Sequence, residues 1–246
     1  MDFVALVSGG KDSIYTACKL MDEGNKLVAL VHIFTIEKYS DSYMYQTVGT
    51  EAAIRLGECL NVPIYCFKSK CKAVNTDLEY SECTEDEVED LYNALKAVLE
   101  KHSFQAVSSG AIHSTYQKNR VENVCKRLNL TSLTPLWKRD QRELLKEMID
   151  YGIDARIIKI ASPSLSKKCL NANLREIKEY MDNQKVKYEM NYCGEGGEFE
   201  SLVLDCRHFK MKMVVGSYEI CSHPDEKNRD DGVYYLTLHN LSVIDK

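Results

Sequence analysis

The first 160 residues alternate short apolar runs with longer stretches of helical periodicity. The runs resemble buried strands, and the stretches between them repeat apolar residues every three or four positions. The five runs are 3–7, 27–33, 64–67, 105–109 and 155–160. Strands that alternate with helices form right-handed crossovers around an open parallel sheet. The sequence therefore predicts an α/β fold with an open, mostly parallel sheet flanked by helices.

The pattern changes after Ile160. A polar region with one helical stretch near 174–181 leads to a glycine-rich segment, and three runs rich in β-branched and aromatic residues follow. Such runs are typical of antiparallel strands. We therefore predict a larger domain over 1–160 and a smaller α+β domain over 161–246.

The acid-rich segment 82–90 precedes one of the helical stretches. Carboxylates near the start of a helix interact favourably with the helix dipole. Thr84, followed three residues later by Glu87, is typical of a capping box. We predict a solvated loop here and a helix that begins with this capping box.

Charge and cysteine content exclude several classes of protein. The 32 basic and 37 acidic residues give a net charge of -5, without the overall basic character of a nucleic-acid-binding protein. No apolar run is long enough to span a membrane, and the amino terminus lacks the pattern of a signal peptide. The ten cysteines include no CxxC pair, which favours reduced thiols over disulfides or structural zinc. We therefore predict a cytoplasmic protein that binds neither a membrane nor nucleic acid directly.

The first strand leads directly into a short glycine-containing loop, Ser8–Ser13, with the sequence SGGKDS. Two glycines let backbone N–H groups approach an anion, and the following helix presents its positive end. A Walker loop would need glycine where Ala5 stands and a hydroxyl side chain where Asp12 stands, and a dinucleotide fingerprint would need further glycines. The loop is therefore interpreted as a phosphate-binding loop of another kind, with a simple strand-turn-helix connection as the alternative.

This loop resembles the pyrophosphate loop (PP-loop) of the adenine nucleotide alpha hydrolase superfamily, whose members split ATP into AMP and pyrophosphate. Four further segments resemble one branch, the diphthine-ammonia ligases, in residues, order and spacing. These segments are 41–49, 108–130, 135–137 and 193–201. The resemblance extends over nearly the whole chain and is weakest in 68–83 and after Leu204, while 164–171 contains less glycine than the family pattern.

The resemblance implies an AMP-forming ligase that amidates diphthine on translation elongation factor 2 to give diphthamide. The diphthine carboxylate would attack the α-phosphate of ATP, and ammonia, supplied as ammonium, would then displace AMP from the acyl-adenylate. ATP and Mg²⁺ are the implied cofactors, and elongation factor 2 and ammonium are the implied partners. Lys11, Asp12 and Glu198 would be catalytic, and Asp12 would also hold Mg²⁺.

The nucleotide is expected against the phosphate loop and the turn after the fourth strand, because open α/β sheets bind ligands at the carboxyl ends of their strands. The predicted cofactor-binding residues are Ser8, Gly9, Gly10, Lys11, Asp12, Ser13, Ser109 and Gly110. Plain turn geometry is the alternative explanation for Gly110.

A second set of residues is predicted to bind the substrate. The loop that contains Tyr43, Tyr45 and Gln46 would cover adenosine or form a lid; the alternative is that these side chains fill the core. Arg120 would contact a phosphate or the acyl-adenylate; the alternative is a surface position. The predicted substrate-binding residues are Tyr45, Gln46, Tyr116, Arg120, Glu195, Gly196, Gly197, Glu198, Phe199 and Glu200.

The acidic loop, 194–200, combines three carboxylates with three glycines, a composition poorly suited to a helix or a strand interior. Diphthine carries a trimethylammonium group beside its carboxylate. A quaternary ammonium donates no hydrogen bonds and keeps its charge, so aromatic faces and carboxylates are the groups that can recognise it. Metal binding by the same carboxylates and an inert turn are the alternatives.

Two other functions remain open. A PP-loop enzyme that modifies transfer RNA would be expected to carry a basic binding domain or paired cysteines. A non-catalytic nucleotide-binding regulator would not need the acidic loop.

Overall fold

The computed structural model describes residues 1–35, 44–46, 48–69, 72–184, 191–222 and 232–246. The strands in these ranges are β1 (Asp2–Leu6), β2 (Lys26–Thr35), β3 (Ile64–Ser69), β4 (Ala106–Ser108), β5 (Thr131–Leu133), β6 (Asp154–Ile160), β7 (Phe199–Asp205), β8 (Met211–Ser222) and β9 (Tyr234–Asp245). The helices are α1 (Lys11–Asp22), α2 (Thr50–Ala53), α3 (Leu56–Leu60), α4 (Glu87–Leu99), α5 (Thr115–Arg127), α6 (Gln141–Tyr151) and α7 (Leu174–Asn183).

The first sheet is parallel and has the strand order β3-β2-β1-β4-β5. The predicted α/β fold is confirmed, as are the strands predicted at 3–7, 27–33, 64–67 and 105–109. The chain order reverses at β1, which has β2 on one side and β4 on the other. Ligands bind at such a switch point, beyond the carboxyl ends of the strands. The phosphate loop and the turn after β4 therefore lie at the expected place for a ligand.

The second sheet is antiparallel, with the order β7-β6-β9-β8. The prediction that 155–160 forms a parallel strand is wrong, because β6 pairs antiparallel with both β7 and β9. An apolar run shows that a strand is buried but not which sheet it joins. The three carboxy-terminal strands are confirmed as antiparallel, whereas the domain boundary near 160 stays a prediction.

Helix α4 begins differently from the predicted capping box. Its N-cap is Asp86, whose carboxylate accepts a hydrogen bond of 2.9 Å from the Val88 amide. The same carboxylate accepts bonds from the amides of Val74 and Asn75, at 2.9 and 2.8 Å. Asp86 is fully buried, so it fixes both the helix and the segment before it. The predicted N-cap at Thr84 is wrong, because the buried contacts of Asp86 determine where α4 starts.

The two sheets share a hydrophobic core around α1. Ile14 of α1, Ile157 of β6 and Leu202 of β7 belong to one buried cluster. The Val203 amide also donates a 2.9 Å hydrogen bond to the Gly9 carbonyl, which joins the second sheet to the phosphate loop. Within the described residues, no helix is long and apolar enough to cross a membrane.

Candidate active site

A cavity of about 560 Å³ lies where the carboxyl edge of the first sheet meets the start of β7. A cavity of this size can enclose a small organic ligand. Its wall includes the phosphate loop, the turn after β4, the start of α5 and the acidic loop. The predicted residues that line it are Ser8, Gly10, Lys11, Asp12, Ser13, Tyr45, Gln46, Ser109, Gly110, Tyr116, Glu195, Gly196, Gly197, Phe199 and Glu200.

The phosphate loop is held by its own serines. The Gly10 amide donates to Ser8 Oγ at 3.3 Å, and Ser13 Oγ donates to the Gly10 carbonyl at 3.0 Å. Gly10 is the N-cap of α1 and supplies no side-chain cap, so the positive end of the helix is not covered by its own N-cap residue. Gly9 has a φ of +96° and faces Leu202 rather than the cavity, so its role is to turn the backbone.

Gly110 brings the turn after β4 into direct contact with the first turn of α1. A Cβ atom there would lie 2.7 Å from the Ser13 amide nitrogen and 2.8 Å from the Asp12 carbonyl carbon. Both atoms belong to the backbone, so only glycine allows this approach. The neighbouring Ser109 Oγ is buried and has no hydrogen-bond partner in the described part of the chain, which leaves a polar group available on the same wall.

Lys11 connects the phosphate loop to the acidic loop. Only 2% of it is exposed, and its Nζ donates to Asp12 Oδ2 at 2.9 Å and to the carbonyl of Cys193. The same Nζ lies 4.9 Å from the centre of the Phe199 ring. Burial alone would lower the pKa of Lys11, but the charge and hydrogen bond of Asp12, together with the nearby Cys193 and Glu195, outweigh burial and the pKa is raised. The surroundings of Lys11 therefore favour its positively charged form.

Asp12 offers an unoccupied oxygen to the cavity. Its Oδ1 is buried and has no hydrogen-bond partner among the described residues. Burial raises the pKa of Asp12, and Lys11 opposes that rise. Proteins commonly bind Mg²⁺ through one or two carboxylates together with substrate phosphates and water. The described residues contain no cluster of three possible metal ligands, so Asp12 fits a Mg²⁺ ion that arrives with phosphate oxygens, not one held by protein alone.

Glu195 connects the acidic loop to the turn after β4. Its Oε1 accepts a 3.2 Å hydrogen bond from the Ile112 amide. Burial raises the pKa of Glu195, and the charge of Asp12 raises it further. Burial also raises the pKa of the Cys193 thiol to about 12, so this thiol stays neutral. The acidic loop therefore presents a carboxylate, rather than a reactive thiolate, beside the phosphate loop.

Two family models match the chain, one over each of the regions that contribute the phosphate loop and the acidic loop. The family model described as the diphthamide synthase N-terminal domain matches residues 1–132, and that of the diphthamide synthase C-terminal domain matches 140–230. The chain belongs to the diphthamide synthase family. The predicted family is thereby confirmed.

Curated relatives of this diphthamide synthase family member carry the name diphthine-ammonia ligase. The protein of Mus musculus is 44% identical and that of Homo sapiens 42% identical, each over 252 residues, covering 100% of this chain and 94% of the relative. The protein of Schizosaccharomyces pombe is 42% identical over 226 residues, covering 91% of this chain and 37% of the relative. A solved structure described as a predicted tRNA methyltransferase subunit from Methanocaldococcus jannaschii is 16% identical, with a TM-score of 0.38, and covers 84% of this chain and 98% of that chain. This structural similarity is too weak to support a conclusion about the chain.

In this diphthamide synthase family member, Glu198 does not line the cavity. Its carboxylate accepts hydrogen bonds from the Asn191 amide at 3.2 Å and from Asn191 Nδ2 at 2.9 Å, while its carbonyl accepts from the Ala161 amide at 2.8 Å. These bonds close the acidic loop. The geometry therefore does not support the predicted catalytic and substrate-binding roles of Glu198.

Arg120 also lies away from the cavity wall, fully buried. Its guanidinium donates to the carbonyls of Asn75 and Asp77, and it lies 3.2 Å from the centre of the Tyr116 ring. It is thus not a surface arginine, and its position does not support the predicted contact with a phosphate. It fixes the segment before α4 against α5, while Tyr116 lines the cavity.

Tyr45 and Gln46 lie on the cavity wall with their polar groups bonded to the protein. Tyr45 Oη donates to the Glu87 carbonyl at 2.9 Å, and Gln46 Nε2 donates to the carbonyls of Val48 and Ser201 at 2.9 and 3.4 Å. These two residues therefore form part of a fixed wall. Tyr43, which was grouped with them, lies outside the described residues.

Lys159, which was not among the predicted site residues, lies on β6 and lines the cavity. Its Nζ donates to Glu200 Oε1 at 2.8 Å, across the β6–β7 pair in which the two residues are in register. Only the antiparallel pairing of β6 reveals this partner. Ser201, also not among the predicted residues, accepts a 3.1 Å hydrogen bond from the Lys11 amide through its Oγ.

Proposed function

We propose that this protein amidates the carboxylate of diphthine with ammonia, using ATP and releasing AMP and pyrophosphate. The observation that carries the proposal is a single cavity in which the phosphate loop faces the acidic loop, joined by the Lys11 ammonium and the Cys193 carbonyl. An amide-forming ligase needs this arrangement, because the nucleotide and the acceptor carboxylate must meet in one place. The names of the curated relatives agree with it.

The phosphate loop accounts for the first half-reaction. The amides at the start of α1 and the Lys11 ammonium would stabilise the charge that develops on the leaving pyrophosphate when the acceptor carboxylate attacks the α-phosphate. Asp12 would hold Mg²⁺ through its available oxygen. Mg²⁺ bound there would neutralise charge on the phosphate oxygens.

The acidic loop accounts for the second half-reaction. Ammonium must lose a proton to give the neutral ammonia that attacks the acyl-adenylate. Glu195 lies on the cavity wall, its pKa is raised by burial, and unlike Asp12 it is not paired with Lys11. A raised pKa makes a carboxylate a stronger base near neutral pH. Because burial keeps the Cys193 thiol neutral, thiolation chemistry of the kind some transfer-RNA-modifying enzymes perform is disfavoured.

We assign translation elongation factor 2 bearing diphthine as the protein acceptor, on the basis of the family resemblance. We also assign the protein to the cytoplasm. Nine cysteines of the described residues are free thiols, which suits a compartment that keeps thiols reduced.

The direct test uses the purified chain with ATP, Mg²⁺, ammonium and diphthine-bearing elongation factor 2. We expect AMP, pyrophosphate and amide in equal amounts, with amide measured by the mass of the modified histidine peptide. Leaving out ammonium should abolish the amide. Release of ADP, or ATP cleavage without any amide, would contradict the proposal, and ATP binding without cleavage would identify a nucleotide-binding regulator.

A further inference from the structure

Lys159 and Glu200 form an ion pair within the cavity wall. Their side chains are 21% and 14% exposed, and Nζ lies 2.8 Å from Oε1. Both residues line the cavity. A carboxylate and an ammonium therefore lie side by side at a ligand-accessible surface.

The pair lines the cavity that also contains the phosphate loop. Phe199 and Ser201 flank Glu200 in β7, and both contact Lys11, one through its ring at 4.9 Å from Nζ and the other through Oγ at 3.1 Å from the amide nitrogen. Glu200 lies between these two residues and lines the cavity with them. A ligand group held at the ion pair would thus share the cavity with phosphates bound at the phosphate loop.

The acceptor has the complementary chemistry. Diphthine ends in a carboxylate beside a trimethylammonium group, and a zwitterion of this kind matches an ion pair in one orientation only. Resting on the proposed function, we propose that the Lys159–Glu200 pair selects the orientation of the zwitterionic acceptor, with Lys159 binding its carboxylate and Glu200 facing its quaternary ammonium. The carboxylate is thereby directed towards the α-phosphate, and the methyl groups are directed away from it.

A purely structural role predicts a different response to substitution. Oppositely charged residues at facing positions of neighbouring strands stabilise a sheet whichever strand carries the cation. Exchanging the two charges therefore preserves a structural ion pair but reverses its polarity for a ligand. The test variants are Lys159→Met, Glu200→Gln and the double exchange of Lys159→Glu with Glu200→Lys.

We expect each single variant to lower kcat/KM for diphthine-bearing elongation factor 2 by about tenfold or more, since each removes the partner of a charged group. The KM for ATP should change by less than about twofold. The double exchange should recover the melting temperature of the wild type without recovering kcat/KM for the acceptor. The control is the same exchange at the exposed Lys146–Asp150 pair of α6, which should leave both unchanged.

A double exchange with normal acceptor kcat/KM would overturn the inference, as would a rise in the KM for ATP with no change for the acceptor. A binding measurement with glycine betaine keeps this test separate from the proposed function. If the wild type forms no amide but binds glycine betaine in a manner that requires Lys159, the proposed function fails and the inference stands. If the wild type forms amide and Lys159→Met binds and uses the acceptor normally, the inference alone fails.

Discussion

At the scale of single residues, Lys11 contributes most to the site. Its buried ammonium contacts Asp12, the Cys193 carbonyl and the Phe199 ring. Because these groups lie on both sides of the cavity, the lysine serves the structure of the site as well as its charge. One face of Phe199 is thus used by the protein's own cation.

Replacing this lysine should affect both catalysis and stability. Lys11→Met keeps the length of the side chain but leaves Asp12 buried without its cation. We expect pyrophosphate release to fall by about a hundredfold or more and the free energy of unfolding to fall by about 1–3 kcal/mol. Pyrophosphate release and denaturant unfolding measure the two effects, and the exposed Lys26→Met is the control. A variant with near-normal turnover would remove Lys11 from the phosphate site.

Gly110 should tolerate no side chain. In Gly110→Ala the new Cβ would overlap the backbone of Ser13 and Asp12, so the first turn of α1 must shift. We expect ATP binding, measured by calorimetry, to weaken by about tenfold or more, because the phosphate-binding amides lose their alignment. Gly24→Ala is the matched control, because Gly24 has a φ of +84° but nothing within 4 Å of its Cβ position. That control should lose some stability but keep its ATP affinity. Equal ATP affinities in the two variants would show that the contact of Gly110 with α1 does not align the phosphate-binding amides.

The placement of the phosphate loop and Gly110 at the cavity could be predicted, because their backbone geometry requires particular residue types. The orientations of Arg120 and Glu198 could not be predicted. Each is fixed by partners distant from any motif, namely the carbonyls of Asn75 and Asp77 for the arginine and the amides of Asn191 for the glutamate. Composition alone cannot show whether a charged side chain of a motif points into or away from a cavity.

At the scale of elements, the Glu147 carboxylate helps to join α6 to α1. Glu147 accepts hydrogen bonds from Tyr15 at 2.5 Å, from Lys19 at 3.0 Å and from Arg139 at 2.5 Å. Burial tends to raise the pKa of Glu147, but these three bonds outweigh it and lower the pKa to about 2. The helix that begins at the phosphate loop is thus fixed at its middle by a charge network.

This network should make part of the stability depend on pH. A carboxyl group whose pKa is lowered on folding stabilises the protein above its unfolded pKa of 4.5, and that stabilisation is lost as the pH falls towards 2. We expect Glu147→Gln to lower the free energy of unfolding by about 1–2 kcal/mol at pH 7, since it removes charged hydrogen bonds. Denaturant unfolding of both proteins from pH 7 down to pH 3 should show the difference shrinking below pH 4.5. A difference that is constant over this range would contradict the charge network.

The elements of the first sheet were predicted more fully than those of the second. Each predicted strand before residue 110 pairs in the parallel sheet, because apolar runs that alternate with helices leave little choice of topology. The run at 155–160 has the same composition but pairs with β7 and β9, which follow it by some forty residues or more. Its pairing depends on long-range contacts that periodicity does not encode.

At the scale of the whole molecule, the two sheets form one site instead of two. The start of β7 passes the first turn of α1, and Ser201 Oγ accepts from the Lys11 amide across 190 positions of sequence. Both loops were predicted from the sequence, but as binding sites for separate ligands. Their meeting in one cavity supports a direct reaction between nucleotide and acceptor.

The central claim is that the acceptor carboxylate attacks the α-phosphate of ATP inside this cavity. Labelling both carboxylate oxygens of diphthine with oxygen-18 tests it most directly, because the oxygen that bridges carbon and phosphorus leaves with the phosphorus. After one turnover with ammonium, mass spectrometry should find one heavy oxygen in the AMP and none in the pyrophosphate. Heavy oxygen in inorganic phosphate, or AMP that carries none while amide is formed, would contradict the account.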